Sequence, residues 1–201
     1  MPFSTKHKII FIHVPKNAGT SLLSLQDFAF EDTKNSHRTA RNFKQTFPEL
    51  WETYTKYCIV RNPWDRFVSN FEYGRMLKSY WHSDDSSTVY PKHPDYELIK
   101  DLTFEDVVEL ASENIEKLKH EGWKPQHHYI CDKNDNILVD KYFYSDTLTT
   151  DAEFLHIFKG LPKINTSNRK PGTYRDYYNT CTAQKIHKLY TKDIELFKFV
   201  Y

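Results

Sequence analysis

Lys16-Asn-Ala-Gly-Thr-Ser21 follows directly on a short apolar run, residues 9–14, that is rich in β-branched side chains. That run predicts a buried strand of a parallel sheet. Pro15 stops the ladder, Gly19 permits a tight turn, and Thr20-Ser21 are placed to cap a helix carrying Leu22, Leu23 and Leu25. A strand, a small-residue loop and a helix start direct backbone N–H groups and the positive end of a helix at an anion. Lys16 adds a mobile charge, so the segment reads as a phosphate cradle. It is not the usual nucleotide-triphosphate loop, G-x-x-x-x-G-K-[ST], because Lys16 precedes Gly19 instead of following it. The plain alternative is a βα turn with a surface lysine.

A second stretch repeats the arrangement. Residues 57–60 read as a strand, Asn62 as an N-cap, Pro63 as the first helical residue, and Asp65 as a first-turn acid that suits the dipole. Trp64, Phe67, Val68 and Phe71 form a core-facing stripe, and Ser69 points away from it. Arg61 stands at the mouth of this helix, and roughly 10 Å of helix rise separates it from Ser69. A long guanidinium can span much of that gap, so both could hold one phosphate-sized anion.

The pair HVPKNAGTS and YCIVRNPWDRFVSNFEY resembles the sulfotransferases that use 3′-phosphoadenosine 5′-phosphosulfate (PAPS), in the branch of Golgi carbohydrate sulfotransferases and their bacterial relatives. The motifs cover roughly a fifth of the chain. The resemblance implies that Lys16, Asn17, Ala18, Gly19, Thr20 and Ser21 contact the 5′-phosphosulfate. It implies that Arg61 and Ser69 hold the 3′-phosphate. It also implies an α/β, P-loop-type three-layer domain with a short central parallel sheet flanked by helices, here one domain over residues 1–201.

The remaining chemistry lies in scattered polar residues. A lone loop histidine is most often solvated, but the family places a base in an H-x-x-A-like segment, which His37-Arg-Thr-Ala40 matches. Lys16 is its catalytic partner by the same resemblance, and His13, at the strand end, is a rival base. Gln126 and His127 fall in a P-Q segment that borders the acceptor in relatives. His127, His128 and Cys131 match no common zinc spacing, so no metal is expected. Residues 161–174 form a Pro/Gly/Asn loop; in relatives such a loop folds over the nucleotide, which makes Asn165, Ser167, Arg169 and Tyr174 donor contacts by resemblance, with a solvated linker as the alternative.

These groups need elements to hold them. A helix ends near Phe47-Pro48 with Ser36 as its cap, and residues 79–101 form a long polar excursion near the acceptor opening. Thr103 with Asp106 starts a helix running to Leu118. A turn at residues 132–136 leads to a strand over 139–144. The helix from Asp151 to Phe158 is stopped by Gly160, and a last helix covers 182–190 before a short tail. The chain has 201 residues, 39% hydrophobic, with a net charge of +1, so nothing overall suggests nucleic acid. Residues 1–80 carry 12 Lys/Arg against 7 Asp/Glu, so the half with both motifs is the basic one. No signal peptide or membrane anchor is read, and three scattered cysteines (Cys58, Cys131, Cys181) give no disulfide framework; a cytoplasmic enzyme, bacterial or viral, follows as the expectation.

The expected reaction is in-line transfer of a sulfuryl group from PAPS to a carbohydrate or polysaccharide hydroxyl, leaving 3′,5′-adenosine bisphosphate and needing no metal. The alternatives are a P-loop kinase of a small metabolite, a non-catalytic nucleotide-binding module, and a sulfotransferase with a non-sugar acceptor.

Overall fold

The computed structural model describes residues 2–33, 37–76, 93–159 and 172–201. Ser36, Gly160, Asn165, Ser167 and Arg169, and the part of the polar excursion in 77–92, lie outside the described residues. Two compact units form: residues 1–61 with 124–164, and residues 62–123 with 165–201. In chain order the described helices are α1 (Gly19–Leu23), α2 (Ala40–Thr46), α3 (Pro48–Thr53), α4 (Pro63–Gly74), α5 (Tyr96–Ile99), α6 (Phe104–Asn114), α7 (His127–Ile130), α8 (Ala152–Phe158), α9 (Thr180–Leu189) and α10 (Thr191–Phe197).

The first unit is the α/β part. Its strands β1 (Phe3–Ser4), β2 (Ile9–Ile12), β3 (Thr55–Val60) and β4 (Lys141–Tyr144) lie in that order in one sheet. β2, β3 and β4 are parallel neighbours, whereas β1 is an antiparallel edge. The expected parallel core is present. The edge strand escaped the sequence reading because two residues carry no readable period. On one face Ile9, Phe11, Ile59 and Phe143 pack with Leu22 of α1 and with Phe154 and Phe158 of α8. On the other, Phe3 pairs across with Ile10, and its ring meets Phe43 and Phe47 at 6.1 and 5.9 Å. Phe43 in turn meets Trp51 at 6.2 Å. Helices therefore cover both faces, giving three layers. Cys58 lies wholly inside this core, and burial, with Cys131 adding to it, pushes its thiol pKa up.

Several element ends differ from expectation for physical reasons. The strand stops at Ile12, because Val14 N–H turns back to donate to the Ile12 carbonyl at 3.1 Å. α2 ends at Thr46 with Phe47 as its C-cap, as expected, and Pro48 then opens α3 as its first-turn proline; the N-cap of α2 is Thr39, which accepts from Asn42 N at 3.2 Å. α8 ends at Lys159 itself, which takes the left-handed conformation at φ 46°. The C-terminal tail is largely helical, as α10.

The second unit is helical. Asn62 caps α4, its side chain accepting from Trp64 N at 3.1 Å. The stripe Trp64, Phe67, Val68 and Phe71 enters a core with Phe104, Val107, Trp123, Ile186 and Ile194. α4 is buried almost all round: Arg66, Ser69 and Asn70 are inside as well. Ser69, which points away from that stripe, is buried as well. Tyr178 donates to the Trp64 carbonyl at 2.9 Å and Tyr190 to the Trp123 carbonyl at 2.7 Å, so buried hydroxyls tie the unit's segments together.

The expected Thr103–Asp106 capping box forms, with Asp106 N donating to Thr103 Oγ1 at 3.2 Å and Thr103 N to Asp106 Oδ2 at 2.9 Å. Thr103→Ala is expected to lower the unfolding free energy by about 1 kcal/mol. A denaturation curve shifted to lower denaturant at unchanged slope is the check.

Candidate active site

Because β2 and β3 run parallel with Ile12 opposite Cys58, the chain leaves both strands at the same edge of the sheet, where open α/β sheets bind ligands. Residues 13–18 and Arg61 emerge there together. The turn is built from left-handed residues at Lys16 (φ 70°) and Ala18 (φ 61°), not at Gly19. Left-handed backbone at a residue bearing a Cβ costs about 1–2 kcal/mol. Left-handed residues on either side of Asn17 are the kind of backbone from which anion-binding turns are built. Ala18 is the N-cap of α1 and supplies no side-chain cap, so Thr20 and Ser21 lie within the helix and do not cap it.

Gly19 is required for room. A methyl group there would overlap Cδ2 and Nε2 of His13, whose ring lies directly against the turn. His13 is 6% exposed and packs against His37 with ring centroids 4.4 Å apart and the rings tilted by 51°. Burial first, and then the neighbouring His37, hold the His13 pKa well below the ordinary imidazole value. His13 Nδ1 is buried without a hydrogen-bond partner among the described residues. His37 is half-buried, and its Nδ1 lies 3.2 Å from the His13 carbonyl. A carbonyl only accepts, so Nδ1–H donates, and the neutral ring carries its lone pair on Nε2.

Polar contacts bind the turn to the sheet. Asn17, 1% exposed, donates through Nδ2 to the Ile59 carbonyl at 2.8 Å and to Gln126 Oε1 at 2.7 Å. Gln126, 0% exposed, also accepts from Arg61 N–H at 2.8 Å and donates through Nε2 to the Arg61 carbonyl at 2.7 Å. Arg61 Nη1 donates to the Lys16 carbonyl at 2.9 Å. Lys16, Asn17, Arg61 and Gln126 therefore form one cluster, with Gly19, His13 and His37 beside the same turn. His127 is half-buried as the first residue of α7. Ser69 and Tyr174 belong to the second unit. There Ser69 is 4% exposed, and the Tyr174 hydroxyl accepts from Asn62 Nδ2 at 3.4 Å with the Arg175 guanidinium 5.0 Å from its ring.

The link from Asn17 to Gln126 spans 109 positions and was invisible in the sequence. Its only trace was a glutamine set just ahead of the buried pair Tyr129-Ile130. The His13–Gly19 contact left a fainter trace still, a histidine where the apolar strand pattern calls for a hydrophobe. Among the described residues no group of three or more His, Cys, Asp or Glu is arranged to hold a metal ion, and no helix is long and apolar enough to cross a membrane.

The sequence profile of the sulfotransferase family matches residues 2–200, and the chain belongs to that family. It is accordingly an enzyme that takes its sulfuryl group from PAPS. No curated protein and no solved structure matches the chain. The Arg61 guanidinium on the Lys16 carbonyl brings a fixed cation to this turn.

Gly19→Ala is expected to weaken binding of 3′,5′-adenosine bisphosphate at least about tenfold, because the new methyl must displace the His13 ring or the turn. Gly19→Ala with His13→Ser is expected to recover part of that loss in the same calorimetric titration. Acid sensitivity follows from His13. Its depressed pKa means that the unfolded chain binds the proton more tightly. The stability difference is absent above about pH 6.5, the unfolded-state value, and stability falls progressively as pH drops below it toward the lower folded-state pKa. Denaturation at pH 7.5 and 5.5 should show a smaller drop for His13→Gln than for the parent.

Proposed function

We propose that the chain transfers the sulfuryl group of PAPS in line onto a hydroxyl of a carbohydrate or polysaccharide acceptor, with His37 as the base. The anchored imidazole of His37 carries this reading. Its Nδ1–H is committed to the His13 carbonyl, and its ring rests on a histidine that itself lies against the loop. A base oriented in this way contributes about 10²–10⁴-fold to such a transfer. The sugar acceptor rests on the resemblance of the two motifs to the carbohydrate branch.

In this scheme His37 Nε2 accepts the acceptor's hydroxyl proton as the oxygen attacks sulfur. Lys16 and the amides of residues 16–21 balance the charge that grows on the departing 5′-phosphate oxygen. Asn17, Ala18, Gly19, Thr20 and Ser21 shape that pocket. Arg61 and Ser69 are the ligands of the 3′-phosphate, Asn165, Ser167 and Tyr174 further donor contacts, and His127 an acceptor contact. Residues 1–201 act as one sulfotransferase domain, a reading supported by a family match that includes residues of both compact units. Donor binding and transfer need no metal in this scheme.

Calorimetric titration with 3′,5′-adenosine bisphosphate, run beside ATP with magnesium, is the first test. Binding of the bisphosphate, weakened in Arg61→Ala, is expected; binding of magnesium-ATP alone would point to a kinase and overturn the reading. With an active acceptor in hand, His37→Ala should cut turnover by about two orders of magnitude or more. Near-normal turnover would remove His37 from the mechanism.

A further inference from the structure

Two non-glycine residues in left-handed backbone make the turn at 16–18 costly. Asn17 adds to the cost, since its Oδ1 is buried with no hydrogen-bond partner among the described residues. Such a turn persists only when its surroundings over-determine it. Its tethers are the Asn17 bonds to Ile59 and Gln126 and the Arg61 bond to the Lys16 carbonyl.

Gln126 is the member common to both sides. Its amide meets the N–H and the carbonyl of Arg61, as a neighbouring strand would, while the same Oε1 receives Asn17 from the turn. One buried side chain thus sets the turn and the end of β3 at a fixed separation. It sits at the N-terminal cap of α7, and α7 is followed by the Cys131↔Ile137 bridge, so its backbone is held by regular structure. A glutamine with no exposed surface is badly placed to meet a polysaccharide.

We propose that Gln126 is a positioning residue of the donor site, not an acceptor contact: it registers the turn at 16–18 against Arg61, so that the 5′ and 3′ phosphate groups of the donor are recognised as a pair. This rests on the reading of Arg61 as the 3′-phosphate ligand. Preorganisation of this kind appears as affinity, because the ligand need not order the two segments itself. Loss of Gln126 leaves each segment present but lets their separation drift. Discrimination between a nucleotide with both phosphates and one with the 5′-phosphate alone should then collapse.

The test titrates the full chain with 3′,5′-adenosine bisphosphate and with adenosine 5′-monophosphate, for the parent, Gln126→Met, Gln126→Glu and Arg61→Ala. The parent should prefer the bisphosphate strongly. Gln126→Met, which keeps volume and removes the bonds, should raise the bisphosphate Kd about tenfold or more and shrink the ratio of the two Kd values toward that of Arg61→Ala. Gln126→Glu keeps the acceptor for Asn17 and for Arg61 N–H, and should fall between parent and Gln126→Met. If Gln126→Met does not fold, Gln126→Glu carries the comparison. A residue that merely supports the fold would lower the folded fraction and leave the ratio of Kd values untouched, which would overturn the proposal. Unchanged values for both nucleotides would overturn it too and return Gln126 to the acceptor. A parent without preference for the bisphosphate, or an Arg61→Ala variant equal to the parent, would instead remove the underlying donor-site reading.

Discussion

The parallel pairing of β2 with β3 is the constraint on which the site depends. Opposing Ile12 to Cys58 delivers two loop starts to one edge of the sheet, and everything anionic in the proposed chemistry is addressed from that edge. The pairing itself rests on burial. Ile9, Phe11 and Ile59 face α1 and α8, and Ile10 shares its face with Phe3, which packs on Phe43. A slip of one residue would exchange those faces and turn the core side chains of each strand outward. The register is therefore fixed by apolar packing, and the geometry of the turn inherits it.

Against that background the polar contacts do finer work. The ladder ends at Ile12, so side chains help to hold the turn: Arg61 donates to the Lys16 carbonyl and His37 to the His13 carbonyl, while the Asn17 side chain reaches the Ile59 carbonyl and Gln126. The histidine pair adds a second kind of constraint, in which ring packing fixes orientation. His13 fills the space that Gly19 vacates, and its carbonyl selects the tautomer of His37. Sterics, hydrogen bonding and tautomer choice converge on a few residues around one turn.

Much of this was legible beforehand. The two strand-to-helix motifs, the Asn62 and Thr103 caps, the Asp151 cap and the strand ending at Tyr144 are local, and local patterns carry their own evidence. Less legible were features decided by tertiary contact. Gly19 was read as a residue needed for its backbone freedom, but the left-handed positions are Lys16 and Ala18, and glycine is needed because a distant ring presses on it. Gln126 was read as an acceptor contact from its place in a P-Q segment, and no periodicity could have told that its amide lies among Asn17 and Arg61. Ser69 was placed off the apolar stripe of α4 by the helical wheel, and the wheel does not register that such a position is buried too.

The order of strands along the chain has a consequence for biosynthesis. β3 ends at Val60, while its outer parallel partner β4 begins only at Lys141. Residues 62–123, the first segment of the other unit, are made in between. At about 5–20 residues per second, β3 thus waits for seconds with one edge unpaired after β2 has docked on the other. An unpaired edge in an apolar strand is a template for wrong partners, including a second nascent chain. The helical unit is itself split across the sequence and lacks residues 165–201 during that interval. Neither unit can close while the chain is being made until its last segment emerges, so the nascent chain carries two unfinished cores at once.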